Sequence, residues 1–233
     1  MSNTSTELAL RVAAIRTSIA DAARSAGRDP DSILLLAVSK RQSEERLRDA
    51  YACGVRDFGE NYIQGLEQHI ATLSGEISGG EVRWHFIGQL QSNKAKRLTG
   101  VHLFHSLDSL KLARRLGDTA ASEGRTQACL LNINISQQAS KSGILSTEAE
   151  ELLDKISSIK GIDIQGLMCI PSPDEEARAA FARLRILRSA LQAHTDFRLR
   201  ELSMGMSSSY QDAIAEGATI VRVGTALFGP RES

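Results

Sequence analysis

The sequence predicts an α/β protein in which one closed (β/α)8 barrel, a TIM barrel, follows an extra N-terminal helix. The chain has 233 residues, a length that one α/β barrel commonly reaches without splitting into domains. Short apolar runs, typical of parallel strands covered on both faces, occur eight times along it. Segments with helical periodicity separate these runs, and this alternation favours a barrel over its main rival, a doubly wound open sheet.

The first element is a helix at about residues 5–26, and the barrel then occupies about residues 33–229 of a single domain, 1–233. Apolar residues recur at helical spacing in this first segment, at Leu8, Val12, Ile15, Ile19 and Ala23. Thr4 and Glu7 are spaced as a capping box, and Gly27 followed by Pro30 marks the end of the helix.

Eight apolar runs are the predicted strands, at residues 33–38, 55–58, 82–87, 101–105, 128–135, 162–170, 198–204 and 219–223. Helical stripes lie between them, and Thr147 with Glu150 is a capping pair before one of these helices. The Gly- and Ser-rich residues 73–80 predict a surface loop. In either rival architecture the functional site lies at the carboxyl ends of the strands.

Composition excludes several classes of partner. Lys plus Arg number 28 and Asp plus Glu number 28, so no long-range positive field attracts nucleic acid or an anionic membrane. The three cysteines lie far apart in apolar runs, typical of buried thiols in a reducing compartment. The chain has no signal-peptide pattern and no apolar run near the ~20 residues that span a bilayer. We expect a cytoplasmic protein without nucleic acid or membrane partners.

Lys40 is the first candidate for chemistry, because six apolar residues carry it to the carboxyl end of the first strand. Desolvation at a barrel mouth favours the neutral amine. A neutral amine is a nucleophile towards aldehydes, which predicts Schiff-base chemistry. The alternative is a lysine whose stem packs while its head reaches water.

Arg222 is the second candidate, because strand alternation in residues 219–223 places it on the face opposite its valine neighbours. A buried guanidinium requires a partner, either a carboxylate such as Glu201 or a ring nitrogen or phosphate of a ligand. Residues 224–229 and 203–207 then supply backbone amides and hydroxyls after the last two strands. Such segments often bind phosphate in barrels, although ordinary turns have the same composition.

Other polar residues end the remaining strands. Glu60 and Asn61 follow the second strand and are candidates for the cavity wall. His85 lies within an apolar strand, where a hydrogen-bonded core histidine is more common than a base. His105 ends the fourth strand as a possible loop hydrogen-bonding group.

Seven motifs carry a resemblance to a known family: Ala37-Val38-Ser39-Lys40, Phe58-Gly59-Glu60-Asn61, Trp84-His85-Phe86-Ile87-Gly88, Leu90-Gln91-Ser92-Asn93-Lys94, Ser140-Lys141-Ser142-Gly143, Gly166-Leu167-Met168 and Ser203-Met204-Gly205-Met206-Ser207. The sequence resembles the pyridoxal-phosphate homeostasis protein family. That family is similar to the barrel domain of alanine racemase, of the fold-type III class, without its C-terminal β domain. The resemblance extends over about residues 33–229.

The resemblance implies that pyridoxal 5′-phosphate is the cofactor, held as a Schiff base on Lys40. It implies that Arg222 faces the pyridine nitrogen and that Asn61 lies near the ring. The remaining implied cofactor-binding residues, which surround the phosphate or belong to the same segments, are Ser203, Met206, Ser207, Gly224 and Thr225.

The function implied is intracellular vitamin B6 homeostasis, in which the protein buffers or delivers the cofactor to pyridoxal-phosphate-dependent apoenzymes. An arginine at the ring nitrogen keeps that nitrogen unprotonated and weakens the ring as an electron sink, so we expect no substantial turnover and no catalytic residues. The alternative is a racemase-like enzyme, which needs an acid/base group on each face of the cofactor, one of them from a second domain. Since the sequence ends at Ser233, we expect that domain to be absent and the protein to be a monomer.

A third alternative is an aldolase-like barrel that uses Lys40 directly on a phosphorylated sugar.

Two residues depart from the family pattern. Gln42 stands where many members have a second lysine, and Ser209 stands where an aspartate commonly follows the Met-Gly-Met-Ser segment. Any secondary cofactor contact at position 42 is therefore in doubt. Ser209 is still expected to cap the helix that follows it.

Overall fold

The protein forms a closed barrel of eight parallel strands in chain order. A computed structural model describes residues 3–73, 82–138 and 141–229. The strands are β1 Leu34–Val38, β2 Asp57–Glu60, β3 Arg83–Phe86, β4 Leu103–Leu107, β5 Gln127–Asn132, β6 Ile162–Met168, β7 Glu201–Ser203 and β8 Ile220–Val223. All eight predicted strands are confirmed, and pairing of β1 with β8 closes the barrel and rules out the open sheet. The loop predicted at 73–80 lies almost wholly outside the described residues.

Helices cover the outside of the barrel: α1 Asn3–Ser25, α2 Glu44–Ala52, α3 Ile63–Leu73, α4 Leu110–Ser122, α5 Ala149–Ser157, α6 Ala177–His194, α7 Tyr210–Ala215 and α8 Thr225–Phe228. Between β3 and β4 the chain forms a 3₁₀ helix, Ser92–Leu98. The extra helix α1 packs against α2, α7 and α8 through its buried stripe. Within the described residues, no helix is long and apolar enough to cross a membrane.

Two predicted caps are wrong. Helix α1 begins at Asn3, so Thr4 lies within the helix and not at its N-cap. Before α5 the backbone N–H of Leu145 donates to Glu148 (3.1 Å), and this contact replaces the expected Thr147–Glu150 pair. Sequence spacing does not resolve the exact first residue of a helix, which shifts by about one or two positions.

Two apolar layers lie on the two faces of the strands. Between sheet and helices the core includes five fully or nearly fully buried phenylalanines, Phe58, Phe86, Phe104, Phe181 and Phe228. A separate inner cluster comprises Leu36, Leu103, Leu130, Met168 and Ile220. Because side chains alternate along a strand, residues in step with this inner cluster point into the barrel. Lys40 and Arg222 are two such positions.

Gly88 shows how closely the loops after β2 and β3 approach each other. A Cβ atom added to Gly88 would lie 1.9 Å from the carbonyl oxygen of Asn61, a separation that no side chain tolerates. Only glycine therefore lets the chain leave β3 while Asn61 keeps its place at the barrel mouth.

Substituting Gly88 by alanine is expected to lower the free energy of unfolding by about 1–3 kcal/mol, because the backbone at Asn61 must move. Urea denaturation measures the change. Gly65→Ala is the control, since its added Cβ would meet Glu60 at 3.4 Å, an ordinary contact, and alanine favours the helix by about 0.5–1 kcal/mol. Equal stability of Gly88→Ala and the wild-type protein would contradict this account.

Candidate functional site

A cavity of about 300 Å³ lies at the carboxyl ends of the strands. Its size is at the lower limit of the roughly 300–1,000 Å³ found for ligand pockets. Seven of the eight residues predicted to bind a cofactor line it: Lys40, Asn61, Met206, Ser207, Arg222, Gly224 and Thr225. Val38, Ile87, Met168 and Ile170 supply its apolar wall. The eighth predicted residue, Ser203, is not among the lining residues.

Lys40 extends from a backbone that is fixed by its neighbour Ser39. Ser39 is fully buried, its N–H donates to the carbonyl of Gly59 (3.0 Å), and its hydroxyl donates to Glu60 (2.6 Å). The chain then turns sharply, with Arg41 at φ 60°. The main chain beneath the lysine is therefore held to β2 while its side chain extends into the cavity.

Glu60 was expected on the cavity wall, and this expectation is wrong. Strand alternation turns its carboxylate away from the cavity, towards α3, where His69 Nδ1 lies 3.1 Å from Glu60 Oε1. Both side chains are buried. The sequence offered no signal for His69, because its partner lies on another element.

Arg222 is held from behind by two acceptors. Its guanidinium donates from Nη1 to the hydroxyl of Ser203 (2.8 Å) and from Nη2 to the carbonyl of Cys169 (2.9 Å). The alternative partner, Glu201, instead accepts a hydrogen bond from Thr219 (2.6 Å). Arg222 is only 4% exposed, and burial lowers its pKa to about 10. The same residue lines the cavity.

Ser203 lies behind this arginine and is not among the residues that line the cavity, whereas the resemblance implies that it lies near the phosphate. It is fully buried, and His105 Nδ1 lies 2.9 Å from its hydroxyl. His105 Nε2 is in turn 2.9 Å from His85 Nδ1, and His85 Nε2 is 3.0 Å from Asp57 Oδ1. Residue spacing did not predict these contacts, because the four residues come from four different strands.

The segment after β7 places Ser207 at the cavity. Gly205 has φ +88°, and a Cβ atom there would lie 2.5 Å from that of Ala213, so the turn requires glycine. Ser209 does not cap α7 with its side chain. Its hydroxyl accepts from the N–H of Met206 instead (3.2 Å), and it thereby stabilises the turn that presents Ser207.

Asn61 brings an unused acceptor to the opposite wall. Its Oδ1 atom is buried and has no hydrogen-bond partner within the described residues. Such an atom costs free energy unless a ligand or water supplies a donor. Asn61 also lines a neighbouring cavity, which includes Lys94.

Fold and site together define a barrel of the racemase type. The family model described as alanine racemase, N-terminal domain, matches residues 11–232. A pyridoxal phosphate homeostasis protein of Pseudomonas aeruginosa is 41% identical over 232 residues, covering 97% of this chain and 96% of that protein. The chain belongs to the pyridoxal phosphate homeostasis protein family.

Solved structures agree with this assignment. PipY of Synechococcus elongatus, in a structure with PLP bound, has a TM-score of 0.83 and 36% identity and covers 95% of this chain and 100% of that one. Alanine racemase of Corynebacterium glutamicum has a TM-score of 0.69 at 16% identity and covers 94% of this chain and 62% of that one. The second likeness establishes the fold alone.

Acidification is expected to lower the free energy of unfolding between pH 7 and 5. Burial lowers the pKa of His85, and that of His105 well below its ordinary value. Between the ordinary pKa of 6.5 and the lowered pKa of each histidine, the unfolded chain therefore binds a proton that the folded chain does not, at a cost of up to about 1.4 kcal/mol per pH unit for each histidine. Urea titrations at several pH values measure the slope. His105→Gln should flatten it, and a slope equal to wild type would contradict this assignment.

Proposed function

We propose that this chain binds pyridoxal 5′-phosphate as a Schiff base on Lys40 and acts in intracellular vitamin B6 homeostasis, buffering or delivering the cofactor. One observation carries the proposal: a lysine and a buried arginine line one small cavity with Ser207, Gly224 and Thr225. The PLP-bound structure of PipY and the names of the curated relatives support it.

The side chains fit the chemical groups of the cofactor. Lys40 supplies the amine for the aldehyde. Arg222 offers N–H donors to the ring nitrogen, and the amide of Asn61, whose Oδ1 has no partner within the described residues, would lie beside the ring. Ser207, Thr225 and the backbone at Gly224 would hold the phosphate.

The same cavity argues against substantial turnover. Bound pyridoxal phosphate supplies an electron sink for carbanion chemistry, but racemisation also requires two acid/base groups, one on each face. Among the described residues that line the cavity, Lys40 and Arg222 are the only titratable ones. An arginine is a poor proton donor or acceptor near neutral pH, which leaves a single base.

No tyrosine in the described residues lines this cavity either. The guanidinium carbon of Arg56 lies over Tyr51, 3.8 Å from the centroid of the tyrosine ring. Tyr210 donates its hydroxyl hydrogen bond to Ser18 (2.8 Å). Tyr62 is 54% exposed and lines the neighbouring cavity. A racemase-like activity, the alternative function, therefore lacks a second proton donor among the described residues that line the cavity.

Three further statements remain predictions. The proposed partners are pyridoxal-phosphate-dependent apoenzymes that receive the cofactor. The protein is predicted to act as a monomer and in the cytoplasm.

The aldolase-like alternative shares Lys40 and the phosphate-binding hydroxyls but predicts a colourless protein.

Reductive trapping tests the Schiff base. The protein incubated with pyridoxal phosphate should be yellow, and borohydride followed by peptide mass spectrometry should find one pyridoxyl adduct, on Lys40. Lys40→Ala should lose the visible band and the adduct. Lys94→Ala, which changes a lysine in the neighbouring cavity, should keep both. An adduct on another lysine, or none on folded protein, would overturn the proposal.

Amino-acid racemisation assays test the absence of turnover. With alanine and other amino acids, the cofactor-loaded protein should convert them far more slowly than the ~1–10³ s⁻¹ of ordinary enzymes. Chiral chromatography measures the product, and Lys40→Ala is the background control. Turnover within the ordinary range would establish the racemase alternative.

A further inference from the structure

A continuous series of hydrogen bonds crosses the barrel interior from the cavity to the opposite end of the strands. Arg222 lines the cavity and contacts Ser203, which contacts His105. The series then passes through His85 on β3 to Asp57, the first residue of β2. We call these five residues the interior relay.

The relay ends in an ion pair at the amino-terminal end of the barrel. Arg83 donates from Nε and Nη2 to the two carboxylate oxygens of Asp57, at 2.7 and 2.6 Å. The Arg83 side chain is 38% exposed, whereas the five members of the relay are buried. At Asp57 the buried series of hydrogen bonds therefore reaches Arg83, a charged side chain that contacts solvent.

Donor and acceptor chemistry gives the relay one direction. Arg222 has only donors, so the Ser203 oxygen accepts from it. At the other end the Asp57 carboxylate only accepts, so two neutral imidazoles can satisfy every link only if the Ser203 O–H points to His105 Nδ1. His105 Nδ1 is then an acceptor, and its proton lies on Nε2, from which it donates to His85 Nδ1. His85 likewise donates from Nε2 to the Asp57 carboxylate, which is an acceptor only. Every link is satisfied by two neutral imidazoles with the same tautomer.

The surrounding charges favour these neutral imidazoles. Burial lowers the pKa of both histidines, and the proximity of His85, Arg222 and His102 lowers that of His105 further. Asp57 opposes this at His85 but does not outweigh burial. Burial alone would raise the pKa of Asp57, but hydrogen bonds from His85 and Arg83 lower it overall. The carboxylate therefore stays charged, and the relay joins one cation to one anion through neutral groups.

We propose that Ser203, His105, His85 and Asp57 are positioning residues that fix the Arg222 guanidinium as a hydrogen-bond donor at the cavity from the far end of the barrel. The proposal rests on the proposed function, in which Arg222 meets the ring nitrogen of pyridoxal phosphate. It assigns to Asp57, which is not among the residues lining that cavity, a role in cofactor binding.

The arrangement has a chemical reason. A carboxylate directly beside the ring nitrogen would favour its protonated form. The interior relay instead places its carboxylate, which also pairs with Arg83, three hydrogen-bonding groups away from Arg222. The buried guanidinium thereby has hydrogen-bond acceptors, and it remains at the cavity as a donor that suits an unprotonated ring nitrogen.

Nitrogen-15 NMR of the cofactor-free protein tests the relay directly. At pH 7.5, His85 and His105 should both be neutral with the proton on Nε2, each assigned by the loss of its signals in His85→Gln or His105→Gln. A charged imidazole or an Nδ1–H tautomer at either residue would overturn the proposal. Because no cofactor is added, this result is independent of the proposed function.

A double-mutant cycle tests the effect on cofactor binding. Ser203→Ala and Asp57→Asn should each weaken pyridoxal phosphate binding about tenfold, as expected for one hydrogen bond to a charged group. The effects of substitutions within one hydrogen-bonded relay are not additive. The affinity of the double variant for pyridoxal phosphate should therefore also fall only about tenfold. A loss of about a hundredfold, the additive result for independent sites, would overturn the proposal, as would wild-type affinity in both single variants.

A matched control separates the relay from general disturbance of the barrel. His102→Gln changes an exposed histidine whose ring lies 5.4 Å from that of His85 but which is outside the relay. It should bind pyridoxal phosphate with an affinity within about twofold of wild type; a tenfold loss would overturn the proposal.

If Asp57→Asn does not fold, Ser203→Ala and the NMR tautomers decide the outcome. If the wild-type protein binds no pyridoxal phosphate, the proposed function fails while the NMR result still decides the relay.

Discussion

The buried guanidinium of Arg222 is the constraint on which the rest of the site depends. An isolated charge inside a barrel is costly unless its hydrogen bonds are satisfied. Ser203 and the carbonyl of Cys169 meet this requirement from β7 and from the end of β6. The polar side chains of His105 and His85 therefore occupy barrel positions that leucine, isoleucine or valine commonly fill in such folds.

The inner apolar cluster complements this polar side of the barrel. Leu36, Leu130 and Met168 pack within the barrel, and Met168 also lines the cavity. The cavity floor is thus apolar on one side and hydrogen-bonded on the other. A planar aromatic ring with one polar edge suits such a floor, because its faces and its nitrogen find different surroundings.

Much of the fold could be predicted because its signals are local. Buried parallel strands are continuous apolar runs, and each of the eight was found, with ends that differ by a few residues. Seven cavity residues were found because strand ends meet at one face of a barrel. Contacts across the interior could not be predicted: strand alternation places His85 and His105 inside but does not say that they touch. The same reason explains Ser203 and Glu60, whose partners come from distant parts of the chain.

The hydrogen bonds of Ser39 bear on the time scale of cofactor exchange. They fix the main chain before Lys40 to β2 and, through Glu60 and His69, to α3. In the proposed function, release of Lys40 from the aldehyde requires water to hydrolyse the carbon–nitrogen bond, and the only motion that the lysine itself then makes is rotation of its flexible stem, which takes picoseconds to nanoseconds in exposed side chains. Because no backbone rearrangement is needed, the proposed function implies that hydrolysis of the carbon–nitrogen bond and escape from the cavity, not motion of the scaffold, set the residence time of the bound aldehyde.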